Sequence, residues 1–236
     1  MTELLFRADP YLTEAEGHAT HVDGGLRLDR SIFYPTGGGQ AGDRGRLSWD
    51  GGETPVVTTI KAGTDVVVVP EDGAPLPPAG AAVRQHLDWT ARHRMMRLHT
   101  ALHLLSVVIP RQVTGGQITP EKARLDFDMP EAPEDKVAIE TALNALIAAD
   151  HAVSETSITD EELAANPGLV KTMSVKPPTG AGHVRLVQIG PTDAPVDLQP
   201  CGGTHVRTTA EIGPVALGKI EKKGRQNRRV TVLLRA

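Results

Sequence analysis

DWTARHRMMRLHTALHLLSVVIP, residues 88–110, is where the chain changes character. Asp88 is a helix N-cap residue, Pro110 stops a helix, and the apolar stripe Trp89, Met96, Leu102, Leu105 and Ile109 recurs at helical spacing between them. One long helix is therefore expected here. Everything before it is punctuated differently: LRLDRSIFYP, GRLSWD, TPVVTTIKAG, TDVVVVP and AAVRQHLD are short β-branched or alternating runs separated by Gly, Pro and Asp. That spacing predicts a small barrel or sandwich over residues 1–87, a loop over EDGAPLPPAG, and a second domain over residues 88–236.

The second domain mixes element types without alternating them. RQVTGGQITPEKARLDFDM predicts a hairpin, and a helix is expected from roughly Pro133 to Ala149 with Val137, Leu143, Ala145 and Leu146 apolar. Thr159 with Glu162 has the spacing of a capping box before a short helix. HVRLVQI, PVALGKIEKKG and NRRVTVLLR are strand-like. Helices and strands segregate, so the fold class expected is α+β: an N-terminal β-barrel-like domain followed by an α+β domain built on an antiparallel sheet and the long helix.

Composition restricts the function. At 236 residues, 39% hydrophobic and 23% charged, the chain is long enough for one large or two modest cores. No apolar run approaches the ~20 residues of a membrane span, and MTELLFRADP lacks a secretory pattern, so a cytoplasmic location is the default expectation. A net charge of -4 argues against indiscriminate nucleic-acid binding, though not against local basic patches. With one cysteine there is no internal disulfide, and Cys201 is a buried filler, a nucleophile or a metal ligand.

Two pairs of residues favour the last of these. His99 and His103, at i and i+4, share one face of the predicted helix. Residue 100 is Thr rather than Glu, so the built-in base of a metalloprotease helix is missing. The second pair is Cys201 and His205, with Gly202 and Gly203 between them permitting a tight turn or a close backbone approach. Three imidazoles and a thiolate suit tetrahedral Zn²⁺. Two unrelated histidines beside a core, or a His-activated thiol, are the competing explanations.

HTALHLL, CGGTHV and, upstream, SIFYPTGGGQAGDRG occur in this order and resemble the signatures of the alanyl-tRNA editing family, AlaX. These free-standing proteins are related to the editing domain of alanyl-tRNA synthetase. The resemblance covers nearly the whole chain, and the glycine-rich front domain is similar to that of the medium-length class. It implies that His99, His103, Cys201 and His205 bind zinc and that 88–236 is an editing domain. It further implies a trans-acting deacylase that hydrolyses mischarged tRNA(Ala), chiefly Ser-tRNA(Ala) and also Gly-tRNA(Ala); the sequence itself gives no sign of a membrane association or an obligate protein partner. A pocket shaped for alanine cannot exclude glycine or serine strongly, and a second hydrolytic site remedies this. A tRNA-binding module with a structural zinc, and a metal-dependent hydrolase of another ester or amide, are the alternatives.

The remaining candidates have an everyday reading beside the functional one. Gly37, Gly38, Gly39 and Gln40 form either a flexible turn or a loop that holds the tRNA acceptor end, with Asp43 and Gly45 also matching the family pattern. Gln117 is a candidate to orient water or hold the substrate carbonyl, and Thr119 to read the serine hydroxyl; both are equally turn residues. Two basic clusters suit phosphates or simply a solvated face: Arg92, Arg94 and Arg97, and Lys222, Lys223, Arg225, Arg228 and Arg229. Trp89, Tyr34 and Phe33 are the aromatic groups available for base stacking.

Overall fold

In a computed structural model, which describes residues 1–133, 135–173 and 182–235, the chain folds as two compact units, Met1–Arg94 and Met95–Ala236. The division falls inside a 20-residue helix, α1 (Trp89–Val108).

The first unit is a closed antiparallel barrel of six strands: β1 (Glu14–Val22), β2 (Gly25–Leu28), β3 (Gly45–Trp49), β4 (Gly52–Ala62), β5 (Asp65–Pro70) and β6 (Ala82–Leu87). The order around it is β1-β2-β5-β4-β3-β6, closing back on β1. Closure leaves no unpaired edge. Alternate residues fill the interior: Ala19, Leu26, Leu28, Leu47, Val56, Val68 and Val83 are almost wholly buried, as are Ile32 and Phe33 from the connection after β2. β3 and β6 approach so closely that a Cβ at Gly45 would stand 2.1 Å from the His86 carbonyl oxygen.

Two departures from the sequence reading have clear physical causes. EAEGHATHV forms β1, the longest strand after β4, although it carries almost no β-branched residues. Its inward positions are Gly17 and Ala19, which fit the tight interior without giving a hydrophobic signal. The converse holds for RSIFYP. Only Arg30–Ser31 is strand, paired with Glu3–Leu4, while Ile32 to Tyr34 are buried coil whose backbone is satisfied by side chains. Gln85 accepts from the Ile32 amide (3.0 Å) and donates to the Arg30 carbonyl (2.9 Å), and Asp43 accepts from the Tyr34 amide.

In the second unit, β7 (Val113–Ile118) and β8 (Ala123–Asp128) form the expected hairpin. With β12 (Val215–Leu217), β13 (Glu221–Lys223) and β14 (Asn227–Leu234) they make a five-stranded antiparallel sheet in the order β12-β14-β8-β7, β13 pairing with β14. A second sheet has three antiparallel strands, β9 (Val153–Thr159), β10 (His183–Ile189) and β11 (Asp197–Pro200). Helix α2 is Lys136–Ala148, capped by Asp135 through the Ala138 amide; it buries Leu143 and Ile147, while Val137 is exposed, against the expected pattern. Thr159 and Glu162 close a complete capping box on α3 (Asp160–Ala165).

Helix α1 begins where Asp88 accepts from the Ala91 amide (3.0 Å) and is not amphipathic in the usual sense. From Met95 to Ser106 every residue but Arg97 is buried, including His99, Thr100 and His103. A helix surrounded by protein on all sides must satisfy any polar group it carries, and this requirement organises the site.

Candidate metal centre

One turn of α1 separates His99 from His103, and the turn after β11 presents Cys201 and His205 to them. Their ligating atoms all lie within 4.8 Å of one another. The Cys201 Sγ is 3.4 Å from His99 Nε2 and 3.2 Å from His205 Nε2. The histidine ring centroids are 4.3 to 5.4 Å apart. Tetrahedral zinc at ~2.0–2.3 Å from its ligands has edges of ~3.3–3.8 Å; the two sulfur–nitrogen distances lie close to that range, and three imidazoles with a thiolate are a donor set that suits Zn²⁺. All three histidines are buried, and Cys201 is half-buried.

His103, His205 and Cys201 have partners behind them. Asp197, on the buried side of β11, accepts from His103 Nδ1 (2.9 Å) and is also contacted by the Lys171 ammonium and by Gln199 Nε2 (2.7 Å). Thr100 Oγ1 lies 3.1 Å from His205 Nδ1 and donates to the Met96 carbonyl (3.0 Å). Arg185 of β10 grips the cysteine turn by donating to the carbonyls of Cys201 and Gly203 and pairing with Glu155. The Gly203 amide donates to the Cys201 sulfur (3.5 Å).

Charges in the cluster are strongly coupled. Burial resists ionising Cys201, yet the charges of His99 and His205 and the hydrogen bonds of His103 and His205 hold its thiol well below the ordinary range. Burial also disfavours a charged His103, but its bond to Asp197 and its contact with Cys201 raise it to about 9. His205 moves the other way, to about 3, through burial and the neighbouring His99. Asp197 falls to about 2 because His103 and Lys171 outweigh its burial. The shifts at Cys201 and His205 thus favour a thiolate and a neutral imidazole, the ligating forms of those two groups.

Asp197, Gln199, Lys171, Thr100 and Arg185 were absent from the sequence reading. Alternation through VDLQP puts Asp197 and Gln199 on one face beside Cys201, and Thr100 directly follows His99, so two of these signals were present. Lys171 and Arg185 are far from any motif.

The other candidates have these local contacts. Gln117 is exposed on β7, and its Oε1 accepts from Arg124 Nε (3.1 Å); Thr119 donates to the Lys122 carbonyl (3.2 Å) in the hairpin turn. These contacts stay within their own hairpin. Gly37 and Gln40 exchange two backbone hydrogen bonds (3.0 and 2.9 Å) around Gly38 and Gly39, both in the left-handed region (φ 57° and 86°), which makes the glycine run a tight reversal that few other residues adopt. Gly38 and Gly39 are exposed, whereas Gln40 is buried.

The basic clusters need correction. Arg92 is fully buried, its guanidinium paired with Asp43 and donating to the Ile32 and Pro10 carbonyls, so it holds the FYPTGGGQAGD connection together and presents nothing to a phosphate. Arg97 donates to the Ile212 carbonyl (2.8 Å). Arg228 is buried and donates to the Asn227 and Pro130 carbonyls, and Arg229 pairs with Asp126. Lys222, Lys223 and Arg225 are the exposed cations of the second cluster. Phe33 and Tyr34 are buried and unavailable for stacking, and Trp89 stacks on His93 at 5.0 Å.

A barrel unit, a buried helix bearing two histidines and a cysteine turn facing them define a class to which known proteins can be matched. Residues 184–231 match the family model described as the threonyl and alanyl tRNA synthetase second additional domain. The chain is 37% identical over 231 residues to an alanine–tRNA ligase of Pyrobaculum neutrophilum, covering 94% of this chain but only 25% of that protein. It is 36% identical over 243 residues to the alanyl-tRNA editing protein AlaX-M of Methanosarcina acetivorans, and 35% over 238 residues to that of Saccharolobus solfataricus, covering 98% of both chains in each case. The chain belongs to the AlaX-M family of alanyl-tRNA editing proteins.

Proposed function

We propose that the protein is a zinc-dependent deacylase that acts in trans on mischarged tRNA(Ala) in the cytoplasm, with Ser-tRNA(Ala) the chief substrate and Gly-tRNA(Ala) the second. The observation that carries the chemistry is the convergence of His99, His103, Cys201 and His205 within 4.8 Å. Two kinds of relative carry the substrate class: free-standing editing proteins matched over their whole length and alanine–tRNA ligases matched over a quarter of theirs. No helix among the described residues is long and apolar enough to cross a membrane.

Zinc held there supplies a Lewis acid for an ester carbonyl or an anchor for the substrate amine. The chain's own residues set the conditions. Asp197 accepts the His103 Nδ1 proton and Arg185 fixes the turn of Cys201. Gly202 is exposed, and a Cβ there would meet nothing within 4 Å. This open side of the cysteine turn is the approach we assign to the aminoacyl end. Lys222, Lys223 and Arg225 would contribute salt-sensitive phosphate contacts.

Four protein ligands fill a tetrahedron, and this favours a second reading in which zinc is structural and tRNA binds without turnover. Cys201→Ala separates the two. The deacylase reading expects the variant to lose bound zinc and at least about 100-fold in activity on Ser-tRNA(Ala). A metal-depleted variant that hydrolyses the ester at the parent rate would remove zinc from the chemistry.

A further inference from the structure

The cluster's outward partners carry an inference that rests on reading it as a zinc centre. A neutral imidazole has one N–H and one lone pair, so a histidine can ligate through Nε2 only if its proton sits on Nδ1. At His103, Nδ1 faces Asp197 Oδ2 at 2.9 Å. The other two neighbours of that carboxylate, Lys171 and Gln199, are both donors, so Asp197 is an acceptor surrounded by donors, and the His103 proton is drawn to Nδ1. At His205 the reasoning differs but ends the same way. Thr100 has a single hydroxyl hydrogen, which it gives to the Met96 carbonyl (3.0 Å). Its oxygen can then only accept from His205 Nδ1, 3.1 Å away. The Val206 amide also donates to it (3.3 Å).

We infer that Asp197 and Thr100 are positioning residues that lock His103 and His205 in the Nδ1–H tautomer, turning both Nε2 lone pairs toward one metal ion. Asp197 is buried at 2% exposure and Thr100 is fully buried, so water cannot substitute for either. Thr100 is built into α1 between the two ligands it carries, and Asp197 lies four residues before Cys201. Both locks therefore sit on the elements that deliver the ligands. Outer partners of this kind are worth about 10- to 100-fold in metal affinity.

The test measures zinc dissociation constants by chelator competition at neutral pH for the parent protein, Asp197→Asn, Thr100→Val and Thr100→Ser, alongside the melting temperature of each metal-free form. Asp197→Asn and Thr100→Val are expected to bind zinc about 10- to 100-fold more weakly, with Thr100→Ser restoring near-parent affinity because it keeps the hydroxyl. Variants that lower only the melting temperature and bind zinc as tightly as the parent would reduce both residues to fold supports and overturn the inference. Should a variant fail to fold, long-range ¹⁵N–¹H spectra of the zinc-loaded parent decide directly: Nδ1-protonated His103 and His205 support the locks, and Nε2-protonated rings overturn them. A parent protein that binds no zinc would sink the metal reading itself, a result distinct from either.

Discussion

Arg92 shows how far a residue's role depends on where the fold puts it. In sequence it belongs to a basic run; in the barrel unit it is a buried cation whose partner Asp43 also takes the Tyr34 amide. Breaking a buried pair strands the remaining charge, so Arg92→Met is expected to cost about 3–5 kcal/mol, while Arg92→Met with Asp43→Leu recovers much of that, read from urea unfolding midpoints. Gly202 makes the opposite case. It sits in open space without a positive φ, so Gly202→Ala should leave zinc content and stability unchanged and lower activity on Ser-tRNA(Ala) by about 10-fold or more through blocked approach; an unaffected rate would show that the substrate passes elsewhere. Proton linkage gives a third outcome at this scale. His205 at about 3 lies below its ordinary 6.5, and Asp197 at about 2 below its ordinary 3.8. Depressed groups stabilise the fold above their unfolded values and lose that contribution as pH falls through the folded ones. The metal-free protein should accordingly lose stability as pH drops from about 6.5 toward 3, seen as a falling urea midpoint; a midpoint that rises over this range would contradict the assignment.

Elements were legible where one physical signal dominated. The capping box at Thr159 and Glu162 formed as spaced, and Thr159→Ala should cost about 1 kcal/mol if α3 contributes to the cooperative unit, read from the melting temperature. The hairpin β7–β8 and the strands β10 and β14 follow from alternation and β-branching. β1 escaped notice because a narrow barrel interior selects Gly17 and Ala19, residues that weaken the pattern they serve. Helix α1 was legible as a helix, but its stripe was misleading: burial on nearly every side means that apolar periodicity reports only part of its surroundings. The His99/His103 pair was visible through helical geometry and the Cys201/His205 pair through local spacing. Lys171 was not, since its contact with Asp197 joins segments 26 residues apart that no periodicity connects.

At the scale of the whole molecule, the chain divides into a barrel unit and a second compact unit, and residues from 95 onward contain the entire His/Cys cluster. The chain spans about a quarter of the alanine–tRNA ligases it resembles and nearly all of the AlaX-M proteins, which is the relation expected of an activity that works apart from aminoacylation. A deacylase of the kind proposed must discriminate by chemistry at the amino acid, because the tRNA is the same for correct and incorrect esters. The most direct measurement is the rate of ester hydrolysis on Ser-tRNA(Ala), Gly-tRNA(Ala) and Ala-tRNA(Ala), with and without a zinc chelator. The account predicts rapid loss of the seryl ester, at least about 100-fold faster than the alanyl ester, slower loss of the glycyl ester, and abolition by chelation that added zinc restores. Equal rates on seryl and alanyl esters, or full activity in metal-free protein, would contradict it.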